Sequence, residues 1–299
     1  MTAVVTIGDA LWDEVSLPDE NPVRHAGGAG LNLAVGLAKF GLVSVLAAKI
    51  GHDQAGFRLR RFMRERHVAL IETPNADFTG VVTSTRDRGE PSYYFPPQLF
   101  RRRIYFGTRL SAAMAQADAV AVNSFPFGDA GQVDRLEHAL STVRGLTVVD
   151  PNPRPRLIRD LAAYRHGVER AAASASVVKL SSEDAVLLYG RDERDAVATF
   201  LSLGPRAVIF TRGSAGATAF LDNGSRVDIG TEIDPADIVD TMGAGDATLA
   251  SVIFSLVTSQ FPDTYENWRS VLARAMAVAA ATCRTPGGQV VLPEERATA

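Results

Sequence analysis

Residues 238–247 combine a glycine-rich turn with one carboxylate, Asp246, at the start of a long apolar run. The run, residues 247–257, has the length of a helix, so we expect residues 243–246 to form its N-terminus. Backbone N–H groups at a helix N-terminus bind anions, and the helix dipole adds partial positive charge there. Asp246 beside such an anion site is a candidate general base for a hydroxyl that attacks a phosphoryl group. The alternative is a plain turn in which Asp246 only caps the helix.

A second glycine cluster, Gly27, Gly28 and Gly30, precedes an apolar pattern of helical spacing, with Asn32 in the first turn. A dinucleotide fingerprint would need a third glycine where Leu33 stands, and a strand immediately before the cluster, whereas the preceding predicted strand lies about twenty residues earlier. A P-loop would need a Gly-Lys-Ser/Thr triplet, which this sequence lacks. The cluster therefore favours a neutral polyol over a pyrophosphate.

Asp9 and Asp13 follow a β-branched run at residues 4–7 that predicts a strand. Carboxylates just after a strand lie where α/β sheets bind their ligands. We interpret Asp9 as a solvated turn residue. Asp13, which lies between Trp12 and Val15, is the better candidate to hold sugar hydroxyls.

Length, composition and charge argue against several classes of protein. The chain has 299 residues, 46% of them hydrophobic, and a formal net charge of −3. This length allows one large domain, and the near-neutral charge argues against a dedicated nucleic-acid binder. Cys283 is the only cysteine, so no intramolecular disulfide can form, and we expect a cytoplasmic protein. The sequence shows no secretory signal, and its apolar runs are too short to cross a bilayer, so we expect no membrane partner.

The second half of the chain alternates predicted strands and helices, which indicates a doubly wound, mostly parallel sheet with ligands at the strand ends. The strands are expected at 119–123, 147–150, 177–180 and 207–211, and the helices near 130–143, 158–174, 183–189 and 195–203. Polar residues follow these strands: Asn123 and Ser124; Asp150, Asn152 and Arg154; Lys179, Ser181 and Asp184; Thr211, Arg212 and Gly213. A hairpin at 217–221 and 226–229 and a helix near 268–283 complete the pattern.

Between these two regions, three predicted strands at 68–71, 79–85 and 92–95 follow one another without helices. Consecutive strands suggest an antiparallel sheet separate from the main one. We interpret it as a lid, formed by segments near 10–25 and 78–106, with Tyr94 facing the ligand. The arginine-rich helix before it is expected to begin after Asp53 as N-cap, and the arginines at 101–103 are interpreted as a surface loop.

The motifs Gly27-Gly28-x-x-x-Asn32 and Asp240-Thr241-x-Gly243-Ala244-Gly245-Asp246 resemble the two signatures of the ribokinase (PfkB) carbohydrate kinases. The resemblance extends over essentially the whole chain, and also includes Gly51-x-Asp53-x-x-Gly56 and Thr211-Arg212-Gly213-x-x-Gly216. It implies one ribokinase-like domain over residues 1–299, with a Rossmann-like α/β core and a β-sheet lid over the sugar.

The resemblance also implies site residues. Asp246 would take the proton from the sugar hydroxyl, and the backbone N–H groups of Gly243, Ala244, Gly245 and Asp246 would form the anion hole for the transferred phosphoryl group. The residues expected to bind the sugar are Asp13, Gly27, Gly28, Asn32, Tyr94, Asn152 and Arg154. The residues expected on the nucleotide side are Lys179, Ser181, Asp184, Thr211, Gly213, Gly216 and Gly288. Mg²⁺ would arrive with ATP and contact Asp184 through water, and a monovalent cation such as K⁺ would lie near Asp240.

Two departures from the family pattern matter. The Asn-x-x-Glu element tied to magnesium and phosphate is represented here by the shorter side chains of Ser181 and Asp184. Met242 stands where many members have threonine, in a segment that can bind a monovalent cation, so potassium dependence stays open.

The leading hypothesis is an ATP-dependent sugar kinase that acts on fructose, because residues 150–155 and 179–181 resemble bacterial fructokinases. The alternatives are a 2-keto-3-deoxygluconate kinase, which would need another cation such as Arg88 or the arginines at 101–103, a ribokinase or a nucleoside kinase. A non-catalytic sugar-sensing protein on the same fold and a nicotinamide oxidoreductase are the other classes considered. Family members often dimerise through the lid, so we expect a homodimer.

Overall fold

The structure, a computed structural model, describes residues 1–16, 22–74, 77–87, 90–190 and 193–293, and its strands form two sheets. The larger sheet contains β1 (Ala3–Gly8), β4 (Val43–Lys49), β5 (Val68–Thr73), β8 (Ala119–Asn123), β9 (Leu146–Asp150), β10 (Val177–Ser181), β11 (Ala207–Thr211), β12 (Ala217–Leu221) and β13 (Arg226–Ile229). The smaller sheet, the lid, contains β2 (Leu11–Ser16), β3 (Val23–Gly27), β6 (Val81–Asp87) and β7 (Glu90–Tyr94).

The larger sheet has the strand order β13-β12-β11-β10-β9-β8-β1-β4-β5, and its strands from β11 to β5 pair in parallel. The strand β12 pairs in antiparallel fashion with both β11 and β13, and β12 and β13 form the predicted hairpin. The register places Gly8, Asn123 and Asp150 side by side at the ends of three neighbouring strands. The carboxyl ends of the parallel strands therefore meet at one edge, where such sheets bind ligands.

Helices cover both faces of this sheet, as the alternating pattern predicts. They are α1 (Ala29–Lys39), α2 (Gln54–Glu65), α3 (Thr108–Gln116), α4 (Ala130–Leu140), α5 (Leu161–Ala172), α6 (Ser182–Tyr189), α7 (Glu193–Ser202), α8 (Ala244–Thr258) and α9 (Tyr265–Cys283). Val4 of β1 packs in one cluster with Leu33 of α1 and Ile253 of α8, whereas its neighbour Val5 packs in another with Leu136 of α4. Successive strand residues point to opposite faces, so both must be apolar where helices lie on both sides.

This arrangement confirms the predicted ribokinase-like α/β fold with a small separate sheet, and it corrects two details. The strand predicted at 68–71 belongs to the larger sheet, where β5 pairs in parallel with β4, because α2 supplies the crossover between them. The lid is mixed rather than antiparallel, since β2 pairs in parallel with β6 while β3 and β7 pair in antiparallel fashion at its edges.

A third correction concerns the glycine cluster. The strand β3 ends at Gly27, so a strand does directly precede the α1 helix, contrary to the sequence-based expectation. This strand lies in the lid and not in the larger sheet, so the cluster still does not form the strand–turn–helix unit of a dinucleotide site. Asp53 caps α2 as predicted, with its Oδ1 accepting a hydrogen bond from the Gly56 N–H at 2.8 Å.

Within the ranges given above, none of the helices is long and apolar enough to cross a membrane. The most apolar long helix, α8, is instead a core element, with Leu249, Val252 and Ile253 buried against the larger sheet and its neighbouring helices.

Candidate active site

Asp246 lies in the first turn of α8, as predicted, and is only 4% exposed. Both carboxylate oxygens accept hydrogen bonds from side-chain amides: Oδ2 from Asn32 Nδ2 at 3.0 Å and Oδ1 from Asn123 Nδ2 at 3.0 Å. Burial raises the pKa of Asp246, and the two amide donors oppose that rise because they favour the charged form. A raised pKa brings a carboxylate closer to the range in which a general base is most effective.

Asn123, which the sequence indicates only as one of the polar residues at the strand ends, is the second donor to Asp246. It ends β8, is completely buried, and lies between Gly8 and Asp150 in the strand register. Its position at the end of a wholly buried strand was the available signal. What the sequence does not contain is the direction of its side chain toward a helix 123 residues further along the chain.

The first turn of α8 has the geometry expected of an anion site. Gly243, the N-cap, has a φ of 79°, and a Cβ there would overlap the carbonyl group of Gly288. The N–H groups of Gly245 and Asp246 have no acceptor within the helix because they lie in its first turn. The N–H of Ala244 is already within 3.3 Å of the Thr241 carbonyl oxygen, so the other donors are better placed to bind an anion.

The predicted sugar side begins at Asp13, which β2 places opposite His25 of β3 in the lid. A Cβ on Gly27 would overlap the Asp13 carboxylate, so glycine at this position makes room for that side chain. Burial raises the pKa of Asp13 to about 6; Arg154 opposes this rise, while Asp240 and Asp246 add to it. Asp13 and Asp246 therefore act on each other electrostatically and Arg154 acts on both, so the two signatures and the strand-end arginine lie within electrostatic range of one another.

Two other predicted sugar-binding residues take different positions. Asn152 has a φ of 38°, is held by its N–H donating to Asp150 Oδ1 at 3.1 Å, and donates from Nδ2 to Asn123 Oδ1 at 3.2 Å. Asn152 therefore belongs to the same polar cluster as Asp246. Tyr94, at the end of β7, is 62% exposed, and Arg88 lies outside the described residues.

On the predicted nucleotide side, Ser181 and Asp184 form a capping box at the start of α6. The Ser181 hydroxyl accepts from the Asp184 N–H at 3.1 Å, and Asp184 Oδ2 accepts from the Ser181 N–H at 2.8 Å. Thr211 donates to the Leu180 carbonyl at 3.3 Å, and the turn that follows contains Gly213 and Gly216 with φ values of 54° and 93°. The capping box gives the shortened family element a structural role of its own.

Lys179 is buried below the first turn of α8 and forms an ion pair with Asp150, with 2.9 Å between Nζ and Oδ2. Burial favours the neutral amine, but the carboxylates of Asp150, Asp184 and Asp246 outweigh it and raise the pKa of Lys179. Its Nζ lies near Gly245, at 3.1 Å from the place where a Cβ would be. Lys179 is therefore a charged group close to the N-terminus of α8, and its role on the nucleotide side remains a prediction.

Asp9 and the arginine loop differ from the sequence-based interpretation. Asp9 is not a solvated turn residue: its Oδ2 forms an ion pair with Arg102 and accepts from the Ser124 hydroxyl at 3.2 Å. Arg102, only 7% exposed, also donates to the Ser124 carbonyl at 3.1 Å, so it is not part of a surface loop. Arg101 pairs with Asp77 and Arg103 with Asp129, each at 2.7 to 2.8 Å.

Asp240 stabilises the loop before α8. Its Oδ1 accepts from the Met242 N–H at 2.9 Å and its Oδ2 from the Gly287 N–H at 3.0 Å. The Val239 and Asp240 N–H groups both donate to the Cys283 carbonyl, at 2.9 and 3.1 Å. The loop is therefore closed by hydrogen bonds within the chain, and a monovalent cation near Asp240 remains a prediction.

Sequence comparison identifies the relatives of this chain. Residues 1–295 match the model of the pfkB family carbohydrate kinases. A fructokinase of Salmonella typhimurium is 26% identical over 98% of this chain and 97% of its own, and one of Klebsiella pneumoniae is 28% identical over 96% and 95%. A 2-dehydro-3-deoxygluconokinase of Thermoproteus tenax is 24% identical over 99% and 93%.

Structural comparison agrees at the level of the fold. A fructokinase from Xylella fastidiosa with bound ATP superposes with a TM-score of 0.83 at 22% identity, covering 96% of this chain and 93% of that one. An aminoimidazole riboside kinase from Salmonella enterica, complexed with aminoimidazole riboside and an ATP analogue, gives a TM-score of 0.80 at 22% identity, covering 98% of both.

Proposed function

Because the chain belongs to the pfkB family of carbohydrate kinases, we propose that it transfers the γ-phosphoryl group of ATP to a hydroxyl of fructose. The observation that carries this proposal is the buried carboxylate of Asp246, held by Asn32 and Asn123 beside the N-terminus of α8. A general base and a set of anion-binding N–H groups within one helical turn are what phosphoryl transfer to an alcohol needs.

In the proposed mechanism, Asp246 accepts the proton of the attacking sugar hydroxyl at a carboxylate oxygen. The N–H groups at the start of α8, together with the helix dipole, bind the phosphoryl oxygens on which negative charge accumulates. Lys179 adds positive charge from below this turn. The sugar is oriented by Asp13 and Arg154, which both lie within electrostatic range of Asp246, so its hydroxyl meets the phosphoryl group at that carboxylate.

The residues present are compatible with magnesium that arrives with the nucleotide. In the described part of the chain, no group of three or more His, Cys, Asp or Glu side chains is gathered as a metal site. Mg²⁺ bound mainly by phosphates and water needs few protein ligands, and Asp184 would hold it through water. When bound, the ion would neutralise charge on the phosphates.

The charges around the site favour a neutral sugar. A 2-keto-3-deoxygluconate kinase would need a cation for the substrate carboxylate, and the candidates were Arg88, which lies outside the described residues, and the arginines at 101–103. Arg101, Arg102 and Arg103 are each engaged with an aspartate of this chain. Arg154 is a further candidate cation, but its positive charge is already opposed by the carboxylates of Asp13 and Asp246. The fructokinases among the relatives support the same choice.

A coupled assay of ATP consumption tests the substrate. Fructose, ribose, tagatose, 2-keto-3-deoxygluconate and aminoimidazole riboside are compared by kcat/KM in the presence of Mg²⁺. We expect fructose to exceed the others by at least about tenfold, which corresponds to roughly 1.4 kcal/mol of transition-state discrimination. A higher kcat/KM for 2-keto-3-deoxygluconate or for a riboside would make that compound the substrate in place of fructose. Background turnover with every sugar would favour the sugar-sensing alternative.

The variant Asp246→Asn tests the mechanism. We expect a kcat lower by a factor of about 10² to 10⁴, because the amide cannot accept the proton, with an unchanged circular dichroism spectrum. Asp222→Asn, an exposed carboxylate in the β12–β13 turn, is the matched control and should keep full activity. Near-normal turnover by Asp246→Asn would exclude the proposed role.

A further inference from the structure

Both groups that donate to Asp246 are side-chain amides, and an amide can donate only from its nitrogen. If the side-chain amide of Asn32 were flipped, its Oδ1, and no longer its Nδ2, would face Asp246 Oδ2. The hydrogen bond of 3.0 Å would become a contact between two oxygens, and the carboxylate would lose one of its two donors. The orientation of each amide therefore affects the charge state and the direction of Asp246.

Gln289 determines the orientation of Asn32. Its Nε2 donates to the backbone carbonyl of Ala26 at 3.0 Å and to Asn32 Oδ1 at 2.9 Å. A backbone carbonyl can only accept, so the nitrogen of Gln289 must face Ala26. The same nitrogen then requires an oxygen from Asn32, and the Nδ2 of Asn32 is left to face Asp246.

We infer that Gln289 is a positioning residue for phosphoryl transfer: through Asn32, it keeps a hydrogen-bond donor directed at the carboxylate of Asp246. This inference rests on the proposed function of Asp246. Gln289 itself contacts neither the attacking oxygen nor the phosphoryl group in this role. It acts on the base through one intervening side chain.

The second donor, Asn123, shows why the orientation of Asn32 depends on Gln289. Asn123 Nδ2 contacts both Asp246 Oδ1 at 3.0 Å and the backbone carbonyl of Ala29 at 3.3 Å, so a main-chain acceptor fixes its orientation directly. Asn152 in turn donates to Asn123 Oδ1. For Asn32, the corresponding main-chain acceptor is Ala26, and Gln289 is the connection between the two.

The position of Gln289 also connects the base to the lid. Ala26 belongs to β3 of the lid, and Gln289 directly follows Gly288, which packs against Gly243 at the start of α8. The hydrogen bonds of one side chain thus join a lid strand, Asn32 on α1 and the loop beside the anion site. A movement of β3 would therefore alter the hydrogen bond that Asn32 donates to Asp246, because Gln289 connects the two.

Other charges facing Asp246 are unaffected by a change at Gln289. Lys179 of β10 and Arg154 after β9 lower the pKa of Asp246. Asp13 of β2 and Asp150 of β9 interact with Asp246 as like charges. Since these groups remain in a variant at Gln289, a shift in the titration of Asp246 would report the lost or turned donor.

The variant Gln289→Met removes the donor and keeps the length of the side chain. We expect kcat to fall about tenfold and the acid limb of the kcat profile, measured at saturating fructose and ATP, to move about half a pH unit higher, because Asp246 loses stabilisation of its charged form. KM for ATP should stay within about twofold. Gln289→Glu keeps the shape but cannot donate when ionised, and should show a shift at least as large.

A buried glutamine away from Asp246 provides the control. Gln132, 3% exposed, accepts from the Ile104 N–H at 2.7 Å and donates to the Ile104 carbonyl at 3.3 Å. Gln132→Met should lower thermal stability and leave the pH profile in place. A purely structural role for Gln289 predicts the same behaviour for Gln289→Met, so an unshifted profile in that variant would overturn the inference.

A measurement on the unliganded protein separates this inference from the proposed reaction. The carboxyl ¹³C resonance of Asp246, assigned by its loss in Asp246→Asn, is titrated in the parent protein and in Gln289→Met. A higher pKa in the variant supports the positioning role even if no sugar is phosphorylated. Equal titration curves contradict the role even if the kinase is active.

Discussion

At the scale of single residues, the site contains two carboxylates with different surroundings. Asp246 is buried and receives two amide hydrogen bonds. Asp13 lies in the lid, and its pKa is raised to about 6 mainly by burial. The pKa of Asp13 therefore falls within the pH range in which a kinase can be assayed, and sugar binding should depend on pH through this residue.

We expect the KM for the sugar to rise severalfold as the pH is lowered from about 7.5 to about 5, because protonated Asp13 accepts hydrogen bonds from sugar hydroxyls less well. Asp13→Asn should have a high KM that hardly changes over this range. Steady-state kinetics with saturating ATP measure both. A wild-type KM that is flat down to pH 5 would contradict the assignment of Asp13.

The same shift has a consequence for stability. A carboxyl group with a folded-state pKa of about 6, against an ordinary value of 3.8, binds its proton more tightly in the folded protein. Between these two values, its contribution to stability decreases as the pH rises, and at neutral pH the buried charge is destabilising. Asp13→Asn should therefore melt a few degrees higher than the parent near neutral pH, and this difference in melting temperature should vanish below the ordinary pKa of the carboxyl group.

At the scale of elements, the start of α8 depends on the close approach of two loops. Gly243 has a φ of 79° and lies against the carbonyl of Gly288. Gly41, after α1, has a φ of 81°, but nothing lies within 4 Å of where its Cβ would be. The two positions share the backbone conformation and differ in the available space.

This pair gives a matched prediction. Gly41→Ala should cost about 1 kcal/mol in the free energy of unfolding, from backbone strain alone. Gly243→Ala should cost more, roughly 2 to 4 kcal/mol, and should also lower kcat/KM because the first turn of α8 must move. Chemical denaturation and kinetics of both variants measure the difference. If the two variants lost equal stability and both kept full activity, the prediction would be contradicted, because the contact between Gly243 and Gly288 would then relax at little cost.

A second element-scale prediction concerns the ion pair that joins the end of β1 to the segment after the lid. Arg102→Met leaves Asp9 partly buried without its cation and should destabilise the protein by about 3 to 5 kcal/mol. Arg103→Met is the control, because the Arg103 side chain is 72% exposed and its pair with Asp129 should contribute at most about 1 kcal/mol. The double variant Asp9→Asn/Arg102→Met should recover part of the loss. Equal effects of the two single variants would contradict this account.

At the scale of the whole molecule, the site lies where the carboxyl edge of the larger sheet meets the lid. Asp246 and Asn123 come from the main body, Asp13 comes from the lid, and Gln289 bonds to both. The lid has an exposed edge strand, β3, with Val23 51% exposed. Unpaired sheet edges tend to be covered by another chain.

We therefore expect a homodimer through the lid, measured as twice the monomer mass by sedimentation equilibrium. Val23→Asp should shift it towards the monomer, because a charge at the edge opposes pairing. Tyr265→Asp, at an equally exposed position in the first turn of α9, is the control and should not change the mass. A monomer at all concentrations would refute the lid interface.

The sequence alone determined the local features of this protein. The spacing of apolar residues predicted most helices and strands, and the residue types at 27–32 and 240–246 predicted the glycine turns and the place of Asp246 in the first turn of a helix. These features depend on contacts between residues close in the chain, and short segments contain the information for them.

The tertiary structure decided which distant groups meet. Asn32 and Asp246 are 214 positions apart, and Arg102 and Asp9 are 93 apart. The sequence-based interpretation placed β5 in the lid and Arg102 in a surface loop, and both were wrong because strand pairing and ion pairing depend on how the whole sheet is assembled. Side-chain amides such as Asn123 and Gln289 acquire their roles only from that assembly, since their direction is set by partners that local sequence does not specify.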